Sequence, residues 1–554
     1  MNYNWQNHTF KGGFEYQKNE NFRDTVYLDA TYMSVAPQNS GVTLGDIAGQ
    51  TGQTFTRRDF ILTNTSDFTG LISGINARQD RQRYYDAFDA DRNGVLTATE
   101  IGPRAVLNSS NGNPDAGFIN YDRTRQAAVG PQLTSSKGTS LYVADTWRLN
   151  RLTLDLGLRT EQWKHYATTG ANIFTFEWAF APRLAAVYDL KGDGRQKVSG
   201  YWGRYYDPIR NNMTNFAGTL TGSILEEQVY LLGDWVTYRT RGGPIVQDAF
   251  FAPTTKTPYT DETQIGYEID LGRDMVASAT YYNRRTRDIL EDYDMSLYAY
   301  DTHGETSYPG PIDHPDSLWL GLPYFGYTST PDSNFVIATL FGGKRDANGL
   351  EFTIRKRYSK NWQWQASYNY LSAEGNTNSD SSADFQGDVL YLDPRAPNQF
   401  GRQPGTIAHL FKTAGSYTFN FGLQVGAVMQ FNSGTVSSRT VLDSGRNLPA
   451  ALPQAENFEF AGIVPSPDVQ PWLAPNSVGS LTNEAWGQLD LRAQYVYKFQ
   501  RVSTEFFVDL FNVTDSQSTI RNQDLIAGSG GIAFGEGLLF VPPRRAFFGV
   551  RVRF

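Results

Sequence analysis

The chain has 554 residues, a formal net charge of −8 from 49 Lys and Arg against 57 Asp and Glu, and no cysteine. Zero cysteines exclude disulfides, thiolate zinc sites, iron–sulfur clusters and a cysteine nucleophile. The acidic balance excludes the clustered Lys and Arg footprint that nucleic-acid binding draws on, so no nucleic-acid partner is expected.

No window reaches 18 consecutive apolar residues, so no membrane-spanning helix is predicted. Residues 1–6 carry no basic segment followed by an apolar core, and no export signal is expected in them. The first predicted strands are 3–17 and 22–33, joined by a short polar turn at 18–21. A stretch of about a hundred residues, 34–137, follows. It contains Asp89, Asp91, Asn93, Gly94, Val95, Thr97 and Glu100 at the spacing of a twelve-residue EF-hand loop.

A hard cation such as Ca2+ takes six to eight oxygens. This loop offers the side chains of Asp89, Asp91 and Asn93, the backbone carbonyl of Val95, Thr97 through water and both oxygens of Glu100, with Gly94 at the sharp turn. Helical composition over 75–88 and 98–107 flanks it, with Pro103 a defect in the second helix. An EF-hand-like insert is therefore expected over 75–107, within a first outer loop. A lone loop of this kind binds at the weak end of the range, about 10⁻⁴–10⁻³ M. The alternative is an Asx-rich turn without metal.

Beyond it, Leu152, Leu154, Leu156 and Leu158 alternate with Thr153, Asp155, Gly157 and Arg159. Ile265, Tyr267, Ile269 and Leu271 do so with Gln264, Glu268 and Asp270, and Leu350, Phe352 and Ile354 with Glu351, Thr353 and Arg355. The longest run is 485–499, apolar at odd positions and mostly polar at even ones. The predicted strands after the first two lie near 138–149, 151–163, 180–190, 196–207, 260–271, 275–292, 346–358, 361–376, 405–419, 422–436, 484–499, 502–516 and 544–554. Soluble strands usually run about five or six residues, whereas a transmembrane β-barrel needs about ten with one apolar face. The aromatic residues that make up 14% of the chain cluster near strand ends, as at Trp147, Trp163, Trp202, Trp362 and Trp364, where membrane interfaces place them.

Connections alternate. Short turns are predicted at 18–21, 150, 191–195, 272–274, 359–360, 420–421 and 500–501, and long stretches at 34–137, 164–179, 208–259, 293–345, 377–404, 437–483 and 517–543. That is the pattern of short periplasmic turns and long extracellular loops. Fifteen strands is an odd number, and single-chain bacterial barrels have even counts, so an incomplete all-β antiparallel barrel is expected over 1–554.

Several segments in order resemble the C-terminal part of TonB-dependent outer-membrane receptors, and within them the Oar-like subgroup that often carries a carboxypeptidase-regulatory-like domain. They are 142–147 (YVADTW), 156–159 (LGLR), 182–190 (PRLAAVYDL), 203–208 (GRYYDP), 263–268 (TQIGYE), 349–357 (GLEFTIRKR), 508–515 (VDLFNVTD) and the final strand ending at Phe554. The resemblance implies a twenty-two-stranded barrel in a Gram-negative outer membrane, with residues 3–17 as about the eighth strand. It also implies a plug and a segment that binds the TonB complex, neither matched here. The implied partners are outer-membrane lipid and lipopolysaccharide, the TonB complex through the unmatched plug region, and an extracellular ligand, whether peptide, protein or glycan.

The expected function is a receptor and transporter barrel that binds its ligand with outer loops, one of them stabilised by Ca2+. A passive plugless channel is one alternative, and a secreted calcium-stabilised all-β carbohydrate-binding protein or enzyme another. No HExxH, GxSxG, P-loop or Rossmann signature is present, and no catalytic activity is expected. Asp301, His303, Asp313, His314 and Asp316 have ligand chemistry without recognised spacing and read as a polar loop. The aromatic run 319–327 reads equally as a ligand contact or as loop packing. His8, His165 and His409 are given no role.

Overall fold

The computed structural model describes residues 2–24, 30–34, 55–58, 65–105, 121–128, 132–207, 211–218, 224–241, 249–294, 323, 325–328, 335–339, 342–377, 400–438, 478–523 and 531–554. Fifteen strands form its wall: β1 (Asn2–Trp5), β2 (His8–Arg23), β3 (Gln132–Leu149), β4 (Leu152–Tyr166), β5 (Ala179–Asp189), β6 (Gln196–Tyr206), β7 (Tyr259–Gly272), β8 (Met275–Arg287), β9 (Lys344–Ser359), β10 (Trp362–Gly375), β11 (His409–Thr418), β12 (Leu423–Asn432), β13 (Trp486–Phe499), β14 (Val502–Phe511) and β15 (Arg545–Arg553). Each pairs antiparallel with the next in chain order, from β1 with β2 to β14 with β15. Two short strands, 172–175 and 401–402, join the same sheet. Among the described residues no pairing joins β15 back to β1 or β2, so the sheet is an incomplete barrel.

The strand count agrees with the sequence reading, but the first turn does not. It lies at Gln6 and Asn7, with Gln6 at φ 50°, while Lys18, Asn19, Glu20 and Asn21 continue β2 in unbroken register with Lys137, Ser136, Ser135 and Thr134. Strands that rise above the hydrocarbon no longer need an apolar flank, so polar residues there do not mark a reversal. Residues 30–34 leave the wall altogether, and the expected 275–292 strand ends at Arg287, with Leu290–Asp294 joining another sheet. The other tight turns keep the expected places, with left-handed residues at Asn150, Lys360, Asn361 and Gln500.

The two faces of the wall differ as period-two patterning requires. Phe14, Leu141, Val143, Leu156 and Leu158 are exposed on one face, and so are Phe548, Val550 and Val552. A soluble sandwich would bury that face, and the secreted alternative loses its footing here. The inner face carries ion pairs: Arg159 with Glu15 across the strands and with Glu161 along its own, both at 3.0 Å, Arg492 with Asp509 at 3.4 Å and Arg551 with Glu505 at 3.3 Å. Between Arg355, Gln365, Ser416, Asp490, Arg492 and Asp509 this wall leaves a recess of about 560 Å³.

Among the described residues one buried core stands above the wall and a second lies against its inner side. One five-stranded sheet takes Ala30–Ser34, Phe55–Arg58 and Tyr121–Ala128 from the first long loop and the hairpin Ile224–Leu231 and Asp234–Arg241 from the third. Against it pack the helices α1 (Thr65–Asn76), α2 (Gln82–Phe88) and α3 (Ala98–Ala105). A second cluster forms where α4 (Asn211–Gly218) lies against the inner side of β2, β3 and β4, burying Trp163, Met213 and Ala217.

Candidate metal centre in the outer domain

The candidate loop connects α2 to α3. Helix α2 ends at Asp89, whose backbone N–H donates to the Tyr85 carbonyl, and α3 begins at Ala98 with Glu100 in its first turn, where the helix dipole favours a carboxylate. The chain reverses through Arg92 at φ 55° and Gly94 at φ 81°, the second being the position where the spacing demands a glycine. The flanking helices differ from expectation. The continuous helix predicted over 75–88 is two helices broken at 77–81, where Arg78 pairs with Asp80 at 2.8 Å. α3 runs through Pro103 to Ala105, and residues 106–107 lie outside the described residues.

Backbone and side-chain donors orient the acidic oxygens. Asp89 accepts from the Asn93 and Gly94 amides at 3.1 and 2.8 Å, and Asp91 from the Asn93 amide at 3.0 Å and Asn93 Nδ2 at 2.7 Å. Asn93 Oδ1 accepts from the Val95 amide at 2.7 Å. Glu100 Oε1 accepts from the Ala90 amide at 3.0 Å, and its Oε2 from the Thr97 amide and hydroxyl at 2.9 and 2.8 Å. One ligand oxygen from each of Asp89, Asp91 and Glu100 lies within 4.8 Å of the others. The Thr97 hydroxyl, helped by the Thr97 and Ala90 amides, holds the Glu100 carboxyl below its ordinary range. Three ionised carboxylates this close repel one another, and a hard dication is the chemistry that offsets such repulsion.

Of the six residues named from spacing, the structure gathers Asp89, Asp91 and Glu100, and ties Asn93 and Thr97 to them by hydrogen bonds. Val95 follows in the turn with its side chain exposed. What holds the loop in place was not legible in the spacing. Leu96, Phe88 and Ile101 are buried in a core with Phe68, Leu71, Ile75 and Tyr84 of the first loop and Val229, Leu231, Val236 and Tyr238 of the third. Helix α1 lies so close to the hairpin that a Cβ on Gly70 would sit 1.9 Å from the Tyr238 carbonyl oxygen, and one on Gly74 2.1 Å from that of Thr237. Arg78 adds an ion pair to Asp234 and a hydrogen bond to the Trp235 carbonyl at 3.1 Å, and Arg83 one to the Leu232 carbonyl at 3.2 Å. The signal was in the sequence: Val229 lies opposite Val236, and Leu231 and Tyr238 follow each at two residues' spacing, across a Leu232-Gly233 turn with both residues left-handed.

The other candidates stand as follows. Asp301, His303, Asp313, His314 and Asp316 lie outside the described residues. Of the aromatic run 319–327, Phe325 is fully buried, which makes it loop packing at that position. His8 pairs with Asp145 at 2.7 Å, His165 with Thr214 at 2.7 Å and His409 with Tyr368 at 2.7 Å.

Residues 167–448 match the family model described as outer membrane beta barrel domain. The chain is 22% identical over 380 residues to the TonB-dependent transporter Oar of Myxococcus xanthus, a match covering 58% of this chain and 32% of that protein. It thus spans about a third of the length of this curated relative. Among solved structures it is similar to the outer membrane transporter YddB of Escherichia coli, with 10% identity, a TM-score of 0.49 and coverage of 99% of this chain and 61% of that one. It is also similar to the ferripyoverdine receptor of Pseudomonas aeruginosa, with 13% identity, a TM-score of 0.41 and coverage of 76% and 39%.

Proposed function

Because this chain belongs to the outer membrane β-barrel domain family, we propose that its wall forms part of a TonB-dependent transporter whose outer loops receive an extracellular ligand. In that reading Ca2+ fixes the outer domain through Asp89, Asp91, Asn93, Val95, Thr97 and Glu100. The observation that carries the transport half is the division of the wall into an exposed apolar face and a charged, hydrogen-bonded inner face, since lipid outside and water or protein inside are what such a wall separates. The observation that supports the calcium half is the convergence of three carboxylates on a loop turned by Gly94. When bound, the ion supplies positive charge and a fixed set of oxygen contacts. The chain's own part is to hold Glu100 ionised through Thr97 and Ala90 and to anchor the loop through Leu96.

Isothermal titration of the detergent-purified protein with Ca2+ tests the metal. One site with a dissociation constant of about 10⁻⁴–10⁻³ M is expected, lost in the paired Asp89→Asn and Glu100→Gln variant. An unchanged titration in that variant sinks the assignment. Conductance in planar bilayers separates transporter from passive channel: a large steady pore would favour the channel, which the packing of α4 against the inner wall opposes.

A further inference from the structure

We propose that Lys18, Lys137 and Lys164 form a binding site for the phosphate-bearing headgroups of outer-leaflet lipids. The three lysines stand in one cross-strand row: Lys18 of β2 is directly opposite Lys137 of β3, which is directly opposite Lys164 of β4. Their faces are fixed by their neighbours. Ser136, Gly138, Trp163 and His165, which alternate with them, are buried on the inner side, where α4 packs, so the lysines face outward.

Below them on the same outward face lie Tyr16, then Phe14 beside Leu141, then Val143 beside Leu158, and finally His8 beside Trp147 near the periplasmic turn. From the His8 row to the Lys18 row is ten residues. At about 3.4 Å per residue, on a strand tilted by about 40°, that rise is roughly 26 Å, close to the ~25 Å height of a barrel's apolar band. The row therefore sits at the outer headgroup level.

Like charges directly opposite one another on a sheet are unfavourable, and the chain carries more carboxylates than cations. Yet among the described residues only Lys18 has a carboxylate partner, Glu20 on its own strand. Lys137 Nζ lies 4.2 Å from the centre of the Tyr166 ring, and Lys164 is exposed, with no ion pair to a carboxylate among the described residues. An ammonium is a compact point charge suited to phosphate. A headgroup phosphate held at that depth by acyl chains meets the row without paying for its own capture from solution, whereas free phosphate has no such anchorage.

The test is lipid retention by the detergent-purified chain after incubation with mixed micelles of phosphatidylcholine and phosphatidic acid, read by native mass spectrometry. Wild type is expected to prefer phosphatidic acid by about tenfold or more, the double variant Lys137→Gln and Lys164→Gln to lose most of that preference, and the double Arg variant to keep it. Lys412→Gln, which removes an inward lysine of β11, should leave it unchanged. Equal preference in wild type and the double Gln variant overturns the proposal. So does displacement of the retained lipid by millimolar inorganic phosphate, which would make the row a site for free anion. Retention of the β-barrel's heat-modifiable gel mobility by the Gln variant confirms that a loss reflects binding rather than folding.

Discussion

The wall and the outer domain bury their apolar residues in opposite ways. In the wall, Phe14 is 65% and Phe548 72% exposed, and the large side chains point away from the chain. In the outer domain, Phe68, Leu71, Ile75 and Tyr84 are fully buried against residues from a loop more than a hundred positions away. One polypeptide thus answers to two solvents. Hydrocarbon completes the wall from outside, and water drives the outer domain to close on itself. It follows that a substitution should be judged by which solvent its side chain meets, not by its hydrophobicity alone.

That contrast can be broken by experiment. Phe68→Ala removes a fully buried ring and is expected to cost the outer domain about 3–5 kcal/mol. Hydrogen exchange should quicken across α1, α2 and the 224–241 hairpin while the amides of β7 to β10 stay protected; loss of protection in both regions together would make them one cooperative unit. Val143→Arg places a charge near the middle of the apolar band and should cost the wall about 2–4 kcal/mol. Urea unfolding in phospholipid vesicles measures it, and the calcium titration of the same variant should not move.

Acid gives a smaller effect confined to the outer domain. The Glu100 carboxyl is held below its ordinary value of 4.5 by hydrogen bonds from Thr97 and Ala90. A depressed carboxyl contributes stability above its unfolded value and loses it as pH falls through its folded one. The order of the loop should therefore persist at neutral pH and decline only below about pH 4.5, followed through the Glu100 carboxyl carbon by NMR; a midpoint above that value would contradict the hydrogen-bonding described. The smallest expected change is in Arg92→Gly. Relief of a left-handed arginine, worth about 1–2 kcal/mol, is partly offset by the greater freedom of glycine in the unfolded chain, leaving a gain of about 0.5 kcal/mol in the thermal unfolding of the outer domain.

How far each region could be read from the sequence follows from the same contrast. Alternation along β13 or β4 is local and survives without knowledge of any partner strand, so the wall was legible almost throughout. It failed at 18–21, where headgroups and water rather than hydrocarbon surround the strand and polar residues lose their meaning as a turn signal. The turn that gathers Asp89, Asp91 and Glu100 was legible because its six candidate donors fall within twelve consecutive positions. Its support was not: Leu96 finds Val229 and Tyr238 only in three dimensions, and nothing in the periodicity of 224–241 points back to residues 65–101. The helix break at 77–81 also escaped, since it is made by Arg78 reaching for Asp80 and Asp234 rather than by glycine or proline.

The five-stranded outer sheet draws edges from two separate excursions of the chain, Tyr121–Ala128 from one pairing with Ile224–Leu231 from the other. Two flaps stitched along a common seam cannot swing apart one at a time. Any motion that lifts one of them must lift both together or tear the seam, so a disturbance of either flap is felt by its companion.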